Sequence, residues 1–330
     1  MHEVASLPDG RVVHAISLRG GGLRATVLTL GVTVCDLRLD GTAHPLVLGC
    51  ANIADYLTHG RYVGSVVGRY ANRIAGARFE LDGQAHQLDA NFRDRHILHG
   101  GSDGVDGWIW QVRDIGVDRV IFELSLPDGH MGFPGNLQIV AELSLQDGAL
   151  CFDFSAVADK ATPCSLAHHG FFNLDGGKDI CDHELRIDAE SYLPVDDDLI
   201  PLADPSMVRN GRFDFRAPKR IGGDGYDHNF CLRDSGGECP VVAELSGKGG
   251  LVMQVETDAR GLQLYDGAHF DGLRGIGGRV YGRNAGLALE TQHWPDAPNR
   301  SDFPDAILRP GQTYRHRVNY RFQQRAPRRS

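Results

Sequence analysis

The sequence predicts one large all-β domain with very little helix, spanning residues 1–322, and three observations predict it. Glycine is the loudest compositional signal, with 42 of 330 residues, spread along the chain as turn punctuation without a repeat period. Short β-type runs recur between Gly, Asp and Pro, several of them with an apolar period of two. No stretch sustains a long helical period, and no Pro-rich or Ser-rich linker divides the chain. Many short strands separated by turn signals argue for a β-sandwich or a barrel, and periodicity alone does not choose between them.

Taken in order, residues 11–18, 23–30 and 32–39 form a first cluster of strands, broken by Gly20-Gly21-Gly22 and by Gly31. Residues 53–59 read as one short helix. Residues 77–81 and 85–88 flank Asp82-Gly83, a strong hairpin signal because both central positions of a tight turn take positive φ. Residues 117–126 form a further strand. Residues 137–145 and 150–156 flank Gln146-Asp147-Gly148-Ala149, a second hairpin. Residues 251–256 and 262–265 add two more strands. In residues 314–322, Tyr314, His316, Val318, Tyr320 and Phe322 alternate with Arg315, Arg317, Asn319 and Arg321. A basic tail, 323–330, is expected to fray.

Lys plus Arg is 34 and Asp plus Glu is 43, giving a net charge of −9. An acidic chain of this kind lacks the electrostatic footprint for nucleic acid or an anionic membrane. Seven cysteines, an odd number with no CxxC spacing, form neither a disulfide framework nor a zinc motif. Reduced thiols, a start (Met1-His2-Glu3-Val4) without a leader pattern, and no apolar run of the ~20 residues that span a bilayer lead to a cytoplasmic expectation.

Several motifs fail on context. Gly100-Gly101-Ser102-Asp103-Gly104 fits G-x-S-x-G, but Val105-Asp106-Gly107-Trp108 does not open the helix that a nucleophile elbow needs. The stretch 272–282 is Gly-rich without G-x-G-x-x-G or a βαβ setting. His168 and His169 are neighbours on a strand, so they point to opposite faces and do not chelate one metal ion.

Glu290 is the most informative residue. In Gly286-Leu287-Ala288-Leu289-Glu290-Thr291-Gln292 the apolar Leu287 and Leu289 share one face, and Ala288, Glu290 and Gln292 the other. Gln263 and Tyr265 share a face in the same way. Three further segments are dense in polar and aromatic residues: residues 68–74 with Ile97-Leu98-His99-Gly100-Gly101, residues 165–174, and residues 225–230. Jointly they offer an Arg, two His, an Asp and a Glu beside aromatic rings. That is the composition of a sugar site, where charged groups hold hydroxyls and ring faces cover the apolar side of a pyranose.

These segments, with Gly132-Phe133-Pro134-Gly135, Phe172-Asn173-Leu174, Asp227-His228-Asn229-Phe230 and Leu308-Arg309-Pro310-Gly311, occur in one order from about residue 60 to 320. In that order the chain resembles the aldose 1-epimerases, or mutarotases. The resemblance implies a large antiparallel β-sandwich with a site on a concave sheet face. It implies Glu290 as general base and His169 as general acid, with Asn72, Arg73, His99, Asp227 and Gln263 binding the sugar. It further implies a free monosaccharide as substrate, no metal or other cofactor, and a monomer or homodimer.

The implied reaction uses these residue types. A base takes the proton of the anomeric hydroxyl while an acid protonates the ring oxygen; the ring opens, the aldehyde rotates, and the ring closes on its other face. The chain departs from the family pattern at His168, at Gly170-Phe171 and at Gly129-His130-Met131-Gly132, which leaves the choice among galactose, glucose, arabinose and xylose open. Three rival readings remain: a sugar-phosphate epimerase using arginines 209, 212, 216, 274, 279 and 283; a glycosidase using Asp227 and Glu290; and a sugar-binding or sensing module.

Overall fold

A computed structural model describes residues 1–202 and 204–325. Its frame is a nine-stranded sheet in the order Gln111–Ile115, Arg119–Leu126, Leu137–Gln146, Ala149–Ala158, Tyr314–Gln324, Leu251–Thr257, Val241–Ser246, Glu184–Ile187 and Lys219–Arg220. A six-stranded sheet runs Phe171–Phe172, Leu287–Gln292, Gly261–Tyr265, Asp227–Cys231, Ser191–Tyr192 and Ser206–Met207. The first four strands, His2–Ser6 to Thr33–Leu39, form a separate meander. The ladders in all three sheets are antiparallel. The chain is thus all-β, as its composition and periodicity predict, and an antiparallel sandwich, as the resemblance implies.

One apolar cluster joins the three sheets. Leu262, Leu264, Leu287 and Leu289 of the six-stranded sheet meet Phe152, Phe154, Val318 and Tyr320 of the nine-stranded sheet, with Val27 and Leu37 of the meander in the same cluster. Phe172 packs on Tyr320 with ring centroids 4.7 Å apart. Alternation decides the layering: the residues between these apolar ones face the other side of each strand.

Both expected hairpin turns form. Asp82 and Gly83 take φ of 49° and 78°, and Asp147 and Gly148 take 48° and 75°. These are the paired positive φ values that match the right-handed twist of flanking strands. The expected helix at 53–59 is instead a five-residue 3-10 turn, Ile53–Leu57. Its N-cap Asn52 makes no side-chain cap bond, and Thr58 and Gly60 both donate to the Asp55 carbonyl, which closes the turn. The last strand continues past residue 322 to Gln324. Arg325, the third residue of the expected tail, forks onto Glu244 at 2.6 and 2.7 Å. Positions 326–330 of that tail lie outside the described residues. Among the described residues no helix is long and apolar enough to cross a membrane, and all seven cysteines are free.

Candidate active site

The six-stranded sheet builds the floor of a cleft by register alone. Glu290 pairs with Gln263, and Gln263 with Asn229, across three strands. One row along, Phe171, Ala288, Tyr265 and Asp227 stand side by side on four strands. Residues two apart share a face, so both rows project to the same side while Leu262, Leu264, Leu287 and Leu289 point into the sandwich.

Loops supply the walls. His169 is bolted between strands: its N–H donates to the Ser65 carbonyl at 2.8 Å, and its own carbonyl accepts from Gly64 at 2.9 Å. His168 faces the other way, into the core, stacked on Phe152 at 4.4 Å. A Cβ at Gly170 would stand 2.4 Å from Cε1 of that ring, so the imidazole at 168 leaves no room for a side chain at 170. Asn72 and His99 lock together, Asn72 N–H donating to His99 Nδ1 at 3.1 Å and His99 N–H to the Asn72 carbonyl at 2.9 Å. His99 Nε2 therefore carries the proton of the neutral ring. Arg73 reaches Asp227 at 3.2 Å and Asn72 Oδ1 at 3.2 Å, and lies 4.7 Å over the Phe92 ring. Gln263 donates to the second oxygen of Asp227.

The result is a cleft of about 310 Å³ lined by Asn72, Arg73, His99, His169, Asp227 and Glu290 among others. Gln263 holds Asp227 from the floor. At the centre, His169 Nε2 lies 3.5 Å from Glu290 Oε1, both side chains almost wholly buried. A contact this close suits an ion pair, yet burial drives each partner toward its neutral form. It pushes the Glu290 carboxyl well above its ordinary range, helped by the Asp227 charge and opposed by Arg73. It pulls the His169 imidazole down to about 4. Neutral carboxyl with neutral imidazole holds the same single proton as carboxylate with imidazolium. The pair thus carries one proton that either group can hold. The His99 imidazole is likewise pulled well below its ordinary range, first by burial and then by the neighbouring His169, Arg73 and Arg61.

Four buried polar atoms here lack a hydrogen-bond partner among the described residues: Glu290 Oε2, His169 Nδ1, Gln263 Oε1 and Arg73 Nε. Buried polar groups are nearly always paired, so this concentration in one cleft marks a place for a polar ligand. His99, His169 and Glu290 also bring donor atoms within 4.8 Å of one another and could hold a metal ion, though His99 Nδ1 is already occupied by Asn72.

A family model described as aldose 1-epimerase matches residues 14–321. The chain is 39% identical to the galactose mutarotase of Rattus norvegicus, over 96% of each chain. It is 36% identical to the aldose 1-epimerase of Escherichia coli K12, over 96% of this chain and 97% of that one. The chain belongs to the aldose 1-epimerase family. Among solved aldose epimerase structures, a homologue from C. elegans superposes with a TM-score of 0.89 at 28% identity, covering 95% of this chain and 100% of that one. A galactose 1-epimerase from Lactobacillus acidophilus gives 0.85 at 30%, covering 98% of both.

Within this epimerase fold all seven sequence-derived candidates converge on one cleft, six in its lining and Gln263 beneath Asp227. Tyr62, Phe92 and His269 also line it and were not legible in the sequence. Tyr62 lies in the loop after the 3-10 turn, and its ring reaches His99 at 4.7 Å and His169 at 6.1 Å. No local pattern marks such a contact. The G-x-S-x-G stretch is a loop: Ser102 sits exposed, its N–H on Asp89, and a short 3-10 turn follows.

Proposed function

We propose that this epimerase interconverts the α and β anomers of a free aldose, with Glu290 and His169 as the catalytic residues. The observation that carries the reading is the buried Glu290–His169 couple, 3.5 Å apart, in which burial favours the two neutral forms that together hold one proton. As the sugar enters, its anomeric hydroxyl donates to Glu290 and its ring oxygen accepts from His169; each hydrogen bond favours the charged form of the protein group. Glu290 takes the hydroxyl proton, the C1–oxygen ring bond breaks, and His169 protonates the departing ring oxygen. The aldehyde rotates, and closure runs the same transfers backward on its other face, with His169 now the base and Glu290 the acid. Arg73 keeps positive charge beside Glu290, while Asn72, Arg73, His99, Asp227 and Gln263 bind hydroxyls. Holding the sugar in a reactive pose adds to the acid–base contribution.

Polarimetry on freshly dissolved α-galactose, α-glucose, arabinose and xylose tests this, with a chelator arm for the donor set His99, His169 and Glu290. Accelerated equilibration of at least one sugar, unchanged by EDTA, is expected. Equilibration at the spontaneous rate for all four sinks the reading, and loss of rate with EDTA would hand the three donors to a metal.

The rivals find less support. Arg61 and Arg73 are the arginines lining the cleft, and each is already paired, with Asp106 and Asp227. Arg209 and Arg216 pair with Glu190 and Asp214, away from the cleft. None of the arginines 209, 212, 216, 274, 279 and 283 lines the cleft, so among the described residues they form no cationic wall there for a sugar phosphate. Asp227 has one oxygen on Arg73 and the other on Gln263, which suits a hydroxyl-binding residue better than the second carboxylate of a glycosidase.

A further inference from the structure

The cleft carries a third imidazole that the proposed reaction does not use. His269 lines it with Phe171, Tyr265 and Asp227, on the loop that follows the Gly261–Tyr265 strand. Its ring stacks on Tyr265, with centroids 5.5 Å and planes 14° apart, and is backed by Phe270 at 4.4 Å. Phe171 stands between it and the catalytic histidine, 5.0 Å from His169 and 6.2 Å from His269.

Its ring orientation is set by one hydroxyl. The Tyr265 oxygen accepts the backbone N–H of His269 at 3.2 Å and is hydrogen-bonded to His269 Nδ1. Giving the phenol proton to Nδ1 while accepting the backbone N–H uses both the donor and the acceptor capacity of that oxygen. A neutral imidazole has one donor and one acceptor nitrogen, so in this arrangement Nε2 carries the hydrogen. The ring is solvent-exposed at the side of the cleft, and its partial desolvation lowers the imidazole pKa from its ordinary value, against the pull of Asp227. Nε2 has no hydrogen bond to any described residue, although the ring is stacked and hydrogen-bonded in place. A donor fixed in tautomer and plane at the side of a sugar cleft has the character of a recognition group.

We propose that His269 is a specificity-determining residue that donates Nε2–H to one substrate hydroxyl away from the anomeric carbon, with Tyr265 as its positioning residue. This rests on the mutarotase reading, in which Glu290 and His169 already take the anomeric hydroxyl and the ring oxygen. The ligand class is a reducing aldose with a hydroxyl at one particular ring position or on its exocyclic carbon.

The test compares wild type, His269→Phe, His269→Gln and Tyr265→Phe on a parent aldose and its monodeoxy analogues, by polarimetry. Wild type should show a KM about 3- to 10-fold higher for one deoxy analogue than for the parent, the effect of one neutral hydrogen bond at a partly exposed site. His269→Phe keeps a ring and loses the donor, so it should remove that difference at this one position and leave the other analogues ranked as before. His269→Gln, which retains an N–H, should restore part of it, and Tyr265→Phe should weaken it with kcat less affected than KM. An unchanged deoxy profile in His269→Phe, or a uniform loss across all analogues, overturns the assignment while the mutarotase reading stands. Wild type that exchanges no sugar at all refutes the mutarotase reading, and the assignment with it.

Discussion

At the residue scale the site works by burial. Glu290 and His169 are each pushed toward neutrality by desolvation, and in the proposed reaction the sugar's hydroxyl and ring oxygen offset that cost. Glu290→Gln keeps the shape and removes the proton acceptor, so kcat should fall by about 10²- to 10⁴-fold while sugar binding stays measurable by calorimetry. A rate within twofold of wild type would move the base elsewhere. The pH profile follows from the single shared proton. Below about 4, where His169 gains a proton, the pair holds two and the base is lost. Above the raised pKa of Glu290 the pair holds none and the acid is lost. The plot of kcat/KM against pH should therefore be a bell whose two limbs belong to the pair. Arg73 pulls the Glu290 pKa down, so Arg73→Met should carry the alkaline limb to higher pH. A limb that moves lower contradicts this electrostatic account.

At the element scale, strand register sets the floor and tight loops set the walls. Glu290, Gln263 and Asn229 align because three antiparallel strands share one register; a one-residue slip of any one strand would turn its own cleft residue to the core face. Gly100 shows how closely the loops meet. It has φ of +84°, and a Cβ there would lie 2.1 Å from the Gly68 carbonyl oxygen and 2.6 Å from Arg69 N. Gly100→Ala must therefore push the His99 loop away from the loop that carries Asn72 and Arg73. Backbone strain and overpacking together should cost about 2 kcal/mol or more, read as a lower midpoint in urea, with a raised KM because His99 moves. An unshifted midpoint would show that these loops have slack.

At the scale of the whole molecule, the nine-stranded sheet supports the six-stranded one. Tyr320 is fully buried between them, packed on Phe172 at 4.7 Å and on His168 at 5.5 Å, with its hydroxyl 3.4 Å from the Leu289 carbonyl. Tyr320→Ala should cost about 3–5 kcal/mol through the cavity it leaves under the Glu290 strand, whereas Tyr320→Phe loses one long hydrogen bond and should cost about 1 kcal/mol. Chemical denaturation of the pair checks it; equal losses would assign the stabilisation to the hydroxyl rather than to packing.

What the sequence by itself determined is local. Alternation marked which side of the Glu290 and Gln263 strands is polar, and Asp82-Gly83 and Asp147-Gly148 marked two turns, because side-chain direction and turn φ depend on adjacent residues alone. The ordered motifs pointed to the cleft residues, but only by likeness to a family. The helix expected at 53–59 gave way to a 3-10 turn, since a lone apolar spacing without a cap does not sustain an α-helix. Tertiary structure alone decided the rest. It set the closing strand Tyr314–Gln324 between Ala149–Ala158 and Leu251–Thr257. It brought Arg73 to Asp227 across 154 positions of sequence and placed Tyr62, Phe92 and His269 around the cleft. It also buried Glu290 and His169, which pushes each toward its neutral form. Strand order, long-range pairing and desolvation are properties of what lies next to a residue in space, and no local pattern records them.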